Sequence, residues 1–233
     1  MKTILFTEPK QDDYVVREQF NTLCSNIIFS GHNIKTVAFT SNASGDGKSY
    51  ISIYTALFFA NRGKRVVLID ADLRKSKMAI QHSFKSDDGE MMGLAHYLAG
   101  NAKLDDVLYK TNVENLYLVP EGRDVANPLP LLTSSGFQKL IHDLEEEYDF
   151  IIIDTPPIGL VVDTAEIGRL TNGVIYVANY KKTRRKELKE SKAIFDKAGV
   201  PLLGCVLNQV IHRGLASKYY YNHYYYKKNA YQK

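Results

Sequence analysis

Short, uninterrupted apolar runs recur along the chain and alternate with segments that have helical periodicity. Six runs predict strands, at residues 36–40, 66–69, 116–119, 150–153, 174–178 and 202–207. Because these runs are continuously apolar, both faces of each strand are expected to be covered, as in a parallel sheet. Helices are predicted over residues 12–29, 48–61, 135–147 and 184–198. This order of elements predicts an α/β fold, with a mostly parallel central sheet and helices on both faces.

The composition narrows the class of protein. Of 233 residues, 45% are hydrophobic and 24% are charged, which excludes a mostly disordered chain and suits one large domain. The formal net charge of +4 is too small to indicate a nucleic-acid partner, and none is expected. Two cysteines cannot form a disulfide scaffold or a four-cysteine zinc site, and they fit a reducing compartment. Neither a signal peptide nor a membrane span is predicted.

The end of the sequence differs from the rest. Seven of the sixteen tyrosines fall between residues 219 and 231, where aliphatic residues are almost absent. Without apolar side chains to bury, residues 215–233 are predicted to form a flexible tail after a domain of residues 1–214. The tyrosines are either acceptors of a chemical group or a binding arm, because tyrosine gives a large contact area at low entropic cost.

A glycine-rich segment, SNASGDGKS at residues 41–49, follows the strand at 36–40 and begins a predicted helix. In that context backbone N–H groups and the helix N-terminus bind phosphate oxygens, and Lys48 and Ser49 are expected at the phosphates and at Mg²⁺. Asn42 stands where the usual pattern has its first glycine, and asparagine tolerates left-handed backbone. The alternative is a loop that closes a strand without nucleotide. The predicted nucleotide-binding residues here are Ser44, Gly45, Asp46, Gly47, Lys48, Ser49 and Tyr50.

Acidic residues end two further predicted strands. Asp70 and Asp72 precede Arg74 after the strand at 66–69, and Asp154 precedes Thr-Pro-Pro after the strand at 150–153. Each alone could be a helix cap or a turn. Because parallel strands bring their carboxyl ends to one edge of a sheet, the three motifs together predict a site for a nucleotide and Mg²⁺.

Asn208 ends the last predicted strand at the same edge. Its amide could hydrogen-bond the edge of an adenine base, and it is therefore a candidate nucleotide-binding residue. An asparagine that starts a turn is the equal alternative.

These motifs resemble the bacterial tyrosine kinases, or BY-kinases, and in particular the CpsD and CapB type of capsule synthesis. The resemblance covers nearly the whole chain, and the tyrosine cluster is its most specific feature. It implies a P-loop NTPase fold and an enzyme that uses ATP and Mg²⁺ to phosphorylate its own tail. The implied phosphoacceptors are Tyr219, Tyr220, Tyr221, Tyr224, Tyr225, Tyr226 and Tyr231.

The resemblance also implies roles for individual residues. Lys48 would offset charge on the transferred phosphoryl group, and Asp70 would be the base that accepts the tyrosine proton. Asp72 would help to hold the metal, so the implied metal site comprises Ser49, Asp70, Asp72 and Asp154. Arg74 would support the phosphates or a contact between subunits.

Several partners follow from the same resemblance. They are the cytoplasmic tail of a membrane polysaccharide co-polymerase as activator, further copies of the chain in a ring, and a cognate tyrosine phosphatase. The chain would lie in the cytoplasm and be recruited to the membrane by its partner, where it would control capsule or exopolysaccharide export. At residues 18–27, however, Asn21 and Cys24 replace two arginines of the family's interface pattern. Ring assembly is therefore expected to be weaker or to use other contacts.

Two other functions stay open. A partition- or septum-type ATPase would organise cargo without phosphorylating protein, although the extra lysine usual in such P-loops is missing from residues 41–44. A catalytically silent nucleotide-binding adaptor is the other. The basic run at residues 181–192 could bind DNA or anionic lipid, or it could be a solvated helix start in which Glu187 and Glu190 alternate with the cations.

Overall fold

Residues 2–7, 14–31, 33–86 and 91–210 are described in the computed structural model of the chain. Across these ranges run nine strands: β1 (Thr3–Leu5), β2 (Thr36–Ser41), β3 (Val66–Asp70), β4 (Lys85–Ser86), β5 (Tyr109–Thr111), β6 (Leu116–Val119), β7 (Phe150–Asp154), β8 (Gly173–Asn179) and β9 (Leu202–Asn208). The helices are α1 (Tyr14–Phe29), α2 (Lys48–Ala60), α3 (Met78–Gln81), α4 (Leu94–Leu98), α5 (Leu104–Val107), α6 (Leu129–Leu132), α7 (Ser135–Glu147), α8 (Asp163–Gly168) and α9 (Arg185–Ala198).

The strands form one mostly parallel sheet, in the order β4-β1-β5-β6-β3-β7-β2-β8-β9. Within the run β6-β3-β7-β2-β8-β9, each of the five pairs of adjacent strands is parallel. At the other edge β5 pairs antiparallel with β6, and β4 pairs antiparallel with β1. The predicted parallel sheet is therefore confirmed, with a short mixed edge added to it.

Helices cover both faces of the sheet, as the continuous apolar runs require. On β3, Val66 and Leu68 pack in the layer that contains α1 and α2. Val67 and Ile69 point the other way, into the layer that contains α7 and α9. Alternate residues of one strand thus belong to two cores, which is why no polar position interrupts the run.

The carboxyl ends of five parallel strands meet at one edge of this sheet. The P-loop follows β2 there, and Asp70 and Asp154 are the last residues of β3 and β7 in directly paired register. Asn179 and Asn208, at the ends of β8 and β9, are paired in the same way. This edge therefore collects the chemistry that the sequence predicts.

Some predictions fall outside the described ranges. They include residues 12 and 13 of the first predicted helix, the whole tail at 215–233 and its seven tyrosines. Among the described helices, none is both long and apolar enough to cross a lipid bilayer.

Candidate functional site

Two glycines shape the P-loop between β2 and α2. Gly45 and Gly47 have φ angles of 86° and 98°. Residues that have a Cβ atom rarely adopt this left-handed region. Gly47 is also the N-cap of α2, and it has no side chain that could bond the first turn. The first N–H groups of α2 are therefore available to an anion.

Asn42 occupies its position without left-handed backbone. In the described part of the chain, positive φ outside glycine is confined to Ser83, Asn115 and Gln209, so the interpretation that relied on left-handed tolerance is wrong. It is position 159 that requires glycine, because a Cβ there would lie only 2.5 Å from the Asn42 carbonyl oxygen. The loop after β7 is thereby packed directly against the P-loop.

Lys48 lies at the centre of a compact cluster of oppositely charged groups. Its Nζ is 3.2 Å from Oδ2 of Asp154, 3.1 Å from Oδ2 of Asp72 and 3.3 Å from Oγ of Ser49. Ser49 Oγ in turn donates to Asp154 Oδ2 at 2.6 Å. The structure thus brings together four of the predicted site residues from three different strand ends.

Burial strengthens the electrostatics of this cluster. Burial disfavours a charged Lys48, but the carboxylates of Asp154, Asp72 and Asp70 outweigh it and raise the pKa of the ammonium. Burial also raises the pKa of Asp154, against the attraction of Lys48. The lysine is consequently held as a cation between acidic neighbours.

The oxygen atoms of the cluster fit a hard cation. Oδ1 of Asp154 is buried and has no hydrogen-bond partner among the described residues. Mg²⁺ prefers oxygen ligands and is usually held by one or two carboxylates together with water and phosphate oxygens. The described residues contain no group of three or more His, Cys, Asp or Glu that could hold a metal ion alone. The unpartnered Oδ1 of Asp154 and the nearby Ser49 hydroxyl thus fit the few oxygen ligands that Mg²⁺ takes from a protein.

Asp70 is fully buried beside the cluster and is held by its own hydrogen bonds. Its Oδ1 accepts from the backbone N–H of Asp72 at 3.2 Å, and its Oδ2 accepts a short hydrogen bond from Ser76 Oγ. Burial, followed by the negative charges of Glu121 and Asp154, raises the pKa of Asp70 well above its ordinary value. Ser76 and Glu121 were missed from sequence. Glu121 follows β6, so the rule that found the other acidic residues at strand ends could have found it.

Arg74 has its principal partner within the chain. Its Nε lies 2.8 Å from Oδ2 of Asp163, and its Nη2 donates to Oδ1 of Asp163 at 3.1 Å. Asp163 is almost fully buried at the start of α8. A role of Arg74 at phosphates or between subunits stays a prediction. The bidentate ion pair with Asp163 was not predicted from the sequence.

The end of β9 braces the P-loop. Asn208 Nδ2 donates to the carbonyl of Asp46 at 2.9 Å, and Gln209 Nε2 donates to the carbonyl of Gly45 at 3.3 Å. The Asn208 amide also fills the space that a Cβ on Gly47 would need. Contact with adenine stays a prediction for Asn208, whose amide bonds the loop in this structure.

The remaining predicted residues lie around this loop. Asp46 is buried, and its Oδ2 accepts from the backbone N–H of Ala43 at 2.9 Å, whereas Ser44 is exposed. Tyr50 is 38% exposed, and its ring centroid lies 4.3 Å from that of Tyr54. Tyr50 therefore sits on the outer side of α2, at the junction with α1.

The two replacements in the interface pattern have different environments on α1. Asn21 accepts from Arg62 Nη2 at 2.6 Å and donates to Glu18 Oε1 at 2.7 Å. Cys24 is completely buried in the core between α1 and α2. The side chain at position 24 thus contributes to packing, and that at position 21 to a polar contact between helices.

The sequence is similar to known proteins over most of its length. Residues 34–180 match the family described as AAA domain. The tyrosine-protein kinase CpsD of Streptococcus agalactiae serotype III is 42% identical over 83% of this chain and 82% of its own length. CpsD of Streptococcus pneumoniae serotype 4 is 39% identical over 83% of this chain and 84% of its own length.

Solved structures resemble the fold over most of the chain. The chimerical protein CapA2B2 has a TM-score of 0.81 and 29% identity, with 89% of this chain and 93% of that chain covered. The kinase domain of the Escherichia coli tyrosine kinase ETK has a TM-score of 0.78 and 28% identity, with 85% and 77% covered. The septum site-determining protein MinD of Pyrococcus horikoshii, complexed with Mg-ADP, has a TM-score of 0.62 and 26% identity, with 75% and 70% covered.

Proposed function

The chain belongs to the bacterial tyrosine-protein kinases of the CpsD type, and we propose that it transfers the γ-phosphoryl group of ATP to tyrosines of its own C-terminal segment. The observation that carries this proposal is the position of Lys48. It lies between Asp72 and Asp154 at the start of α2, with Ser49 bonded to Asp154. Phosphoryl transfer depends mainly on positioning and charge neutralisation, and this cluster is suited to both.

Each residue of the cluster has a proposed part in binding. The N–H groups of the P-loop and of the first turn of α2 cradle the phosphates, and Lys48 neutralises their charge. Ser49 and Asp154 would hold Mg²⁺, and Asp70 and Asp72 would complete its acidic surroundings. When bound, Mg²⁺ supplies further neutralisation of the developing negative charge. MinD, which resembles this fold, was crystallised with Mg-ADP and supports this ligand choice.

Asp70 is the proposed base. A tyrosine hydroxyl has a pKa near 10 and attacks phosphorus more readily as it loses its proton. The proton passes to the Asp70 carboxylate while the bond from the tyrosine oxygen to the γ-phosphorus forms. The bond from that phosphorus to the β–γ bridging oxygen breaks, and ADP leaves. The position of Asp70 at the carboxyl end of β3, paired with Asp154 of β7, supports this role.

The proposed acceptors are the seven tail tyrosines, phosphorylated between subunits of a ring. The proposed activator is the cytoplasmic tail of a membrane polysaccharide co-polymerase, which also recruits the chain to the membrane. A tyrosine phosphatase would reverse the modification, and the cycle would control capsule or exopolysaccharide export. The likeness to the tyrosine-protein kinase CpsD supports the transfer to tyrosine, and the other steps rest on the resemblance of the sequence motifs.

Intact-mass spectrometry tests the proposal. We expect stepwise additions of about 80 Da on the wild-type chain after Mg-ATP, each of them one phosphate. A Lys48→Met variant and a chain that ends at Ser217 should gain none. An activator peptide is included in every reaction.

A different result would favour the other function. Steady ADP production without any mass addition, in the presence of activator, would contradict the kinase proposal. It would indicate an ATPase that organises cargo, as the fold shared with MinD allows.

A further inference from the structure

Five exposed cations lie in the connection from β8 to α9 and in the first turns of α9. This basic cluster consists of exposed side chains that form no ion pair within the described ranges, namely Lys181, Lys182, Arg184, Arg185 and Lys189. The two nearby carboxylates have other partners. Glu187 Oε2 accepts from the backbone N–H of Arg184 at 2.7 Å, and Glu190 pairs with Lys186 at 3.7 Å. Glu187 keeps its negative charge, so it offsets part of the charge of the cluster, which stays net positive and has no ion-pair partner in the part of the chain that the structure describes.

The basic cluster is fixed beside the point where the C-terminal segment begins. The backbone N–H of Tyr180 donates to the Asn208 carbonyl at 2.9 Å, and Asn179 Nδ2 donates to Gln209 Oε1 at 3.0 Å. Asn179 is fully buried and also accepts from the backbone N–H of Lys181 through its Oδ1. Residues 211–233 therefore continue from a strand end that is hydrogen-bonded to the start of this connection.

The charge of that segment depends on modification. Residues 211–233 contain five Lys and Arg and no Asp or Glu, so the unmodified segment is repelled by the cluster. Each phosphotyrosine adds about −1.5 to −2 charges, so three of them cancel the five cations of the segment and give residues 218–228, which contain three lysines, a net negative charge. Modification of further tyrosines makes the segment strongly acidic. The electrostatic force between segment and cluster thus changes from repulsion to attraction.

We propose that the basic cluster captures the phosphorylated C-terminal segment of its own subunit and does not hold the unmodified segment. This inference rests on the proposed phosphorylation of the tail. Nine residues lead from Val210 to Tyr219, a reach of up to ~30 Å, and such a short connection gives an effective concentration in the millimolar range. Arginine binds phosphate through two parallel hydrogen bonds, and Lys181 and Lys182 add point charges. Captured product would be kept from the acidic active site of a neighbouring subunit.

The first experiment needs no kinase activity. A fluorescent synthetic peptide of residues 218–228, phosphorylated at positions 219–221, is titrated with the full dephosphorylated chain and followed by anisotropy. We expect it to bind, and the unphosphorylated peptide not to bind. Replacing Lys181 and Lys182 by Gln should weaken binding about tenfold, because two charged contacts are lost.

Two controls make this result specific. A Lys103→Gln, Lys110→Gln variant loses two exposed lysines at α5 and β5, and it should bind the phosphopeptide like the wild type. A Lys48→Met variant should also bind normally. Equal weakening in the lysine control would show general charge attraction, and weakening in the Lys48 variant would show product binding in the active site. Either result would overturn the proposal.

Anionic vesicles distinguish the competing partner. The dephosphorylated chain is mixed with phosphatidylglycerol-containing vesicles, and vesicle binding and phosphopeptide binding are compared in the wild type and the Lys181, Lys182 variant. Vesicle binding through the cluster without phosphopeptide binding would overturn the proposal and make a membrane surface the partner. Phosphopeptide binding that the double variant loses supports it.

A second experiment tests capture within one subunit. A full chain carrying the three phosphates is made by ligating a synthetic C-terminal segment, so the result does not depend on autophosphorylation. This chain should bind added phosphopeptide about tenfold more weakly than the unmodified chain at every protein concentration, and phosphatase treatment should restore binding. Equal affinity before and after phosphatase would overturn capture within the subunit. Failure of the wild-type chain to phosphorylate itself would contradict only the proposed function.

Discussion

Gly47 packs against the side-chain amide of Asn208 so closely that a Cβ atom on Gly47 would lie 2.0 Å from Asn208 Nδ2. Gly45 and Gly47 share a left-handed backbone, but a Cβ on Gly45 would meet nothing within 4 Å, whereas one on Gly47 would collide with the Asn208 side chain. The two glycines therefore separate the cost of backbone conformation from the cost of contact.

We predict that Gly45→Ala lowers the free energy of unfolding by about 1 kcal/mol, from backbone strain alone. Gly47→Ala should cost about 2 kcal/mol, since Asn208 must also give up its hydrogen bond to Asp46. Urea denaturation measures both values. Adding Asn208→Ala should remove most of the difference between the two variants, and an equal cost for both glycines would contradict the contact.

The two cysteines should differ in reactivity. Burial raises the pKa of the Cys24 thiol to about 12, with a smaller opposing effect of Arg62. Burial also raises the pKa of Cys205, but that residue is exposed on β9. Because the thiolate is the reacting species, a higher pKa and burial both slow alkylation. At pH 8 we expect iodoacetamide to modify Cys205 at least tenfold faster than Cys24, as peptide mass mapping would measure; comparable rates would contradict the buried position of Cys24.

At the scale of single residues, the sequence predicts the site residues at strand ends. It does not predict the side chains that form hydrogen bonds with them. Lys48, Asp72 and Asp154 converge because parallel strands end at one edge, and that follows from order along the chain. Ser76 lies in the loop after β3, and Asp163 begins α8. Each forms a hydrogen bond with a site residue, but its position depends on tertiary packing. No local pattern specifies such pairs.

At the scale of elements, continuous apolar runs identify the central strands. All six predicted strands form, and Ser41, Asp70, Asp154 and Asn208 each extend one by a single polar residue. The strands β1, β4 and β5, on one side of the sheet, are only two or three residues long, too short for periodicity to distinguish them from loops. Their pairing depends on neighbours far along the chain. The long helices could be predicted because each spans several turns, over which the apolar pattern repeats.

The ion pair between Arg74 and Asp163 joins the loop after β3 to the start of α8. Arg74→Ala would leave an almost fully buried carboxylate unpaired. We expect it to lower the free energy of unfolding by about 2 kcal/mol, less than for a wholly buried pair because the Arg74 side chain is partly exposed to water. Thermal and urea denaturation check this. Adding Asp163→Asn should recover part of the loss, and a neutral single variant would contradict the structural role.

At the scale of the whole molecule, the family expected from the sequence is confirmed by the CpsD relatives. The P-loop type alone is shared with septum-site ATPases, and the fold indeed resembles MinD. The tyrosine cluster distinguished the two classes from sequence, although it lies outside the described residues. The tyrosine-rich composition of residues 215–233 thus distinguishes the kinases from the septum-site ATPases, which the shared fold does not.

Assembly should respond to phosphorylation of the tail. Several phosphates would reverse its charge and weaken its binding to a carboxylate-rich active site of another subunit. We predict that Mg-ATP with activator dissociates oligomers of the wild-type chain, and that a variant with all seven tail tyrosines replaced by Phe stays assembled. Light scattering after gel filtration measures the mass. Continued ATP-driven dissociation of the Phe variant would contradict a role of tail phosphorylation in disassembly.

The bonds from Asn208 and Gln209 to the P-loop give the protein a mechanical property. The carbonyls of Asp46 and Gly45 are tied to the residues from which the C-terminal segment departs. A pulling force on that segment is therefore transmitted to the phosphate-binding loop as well as to β8, with which β9 is paired. A kinase whose tail is under tension should release its nucleotide sooner than one whose tail is slack.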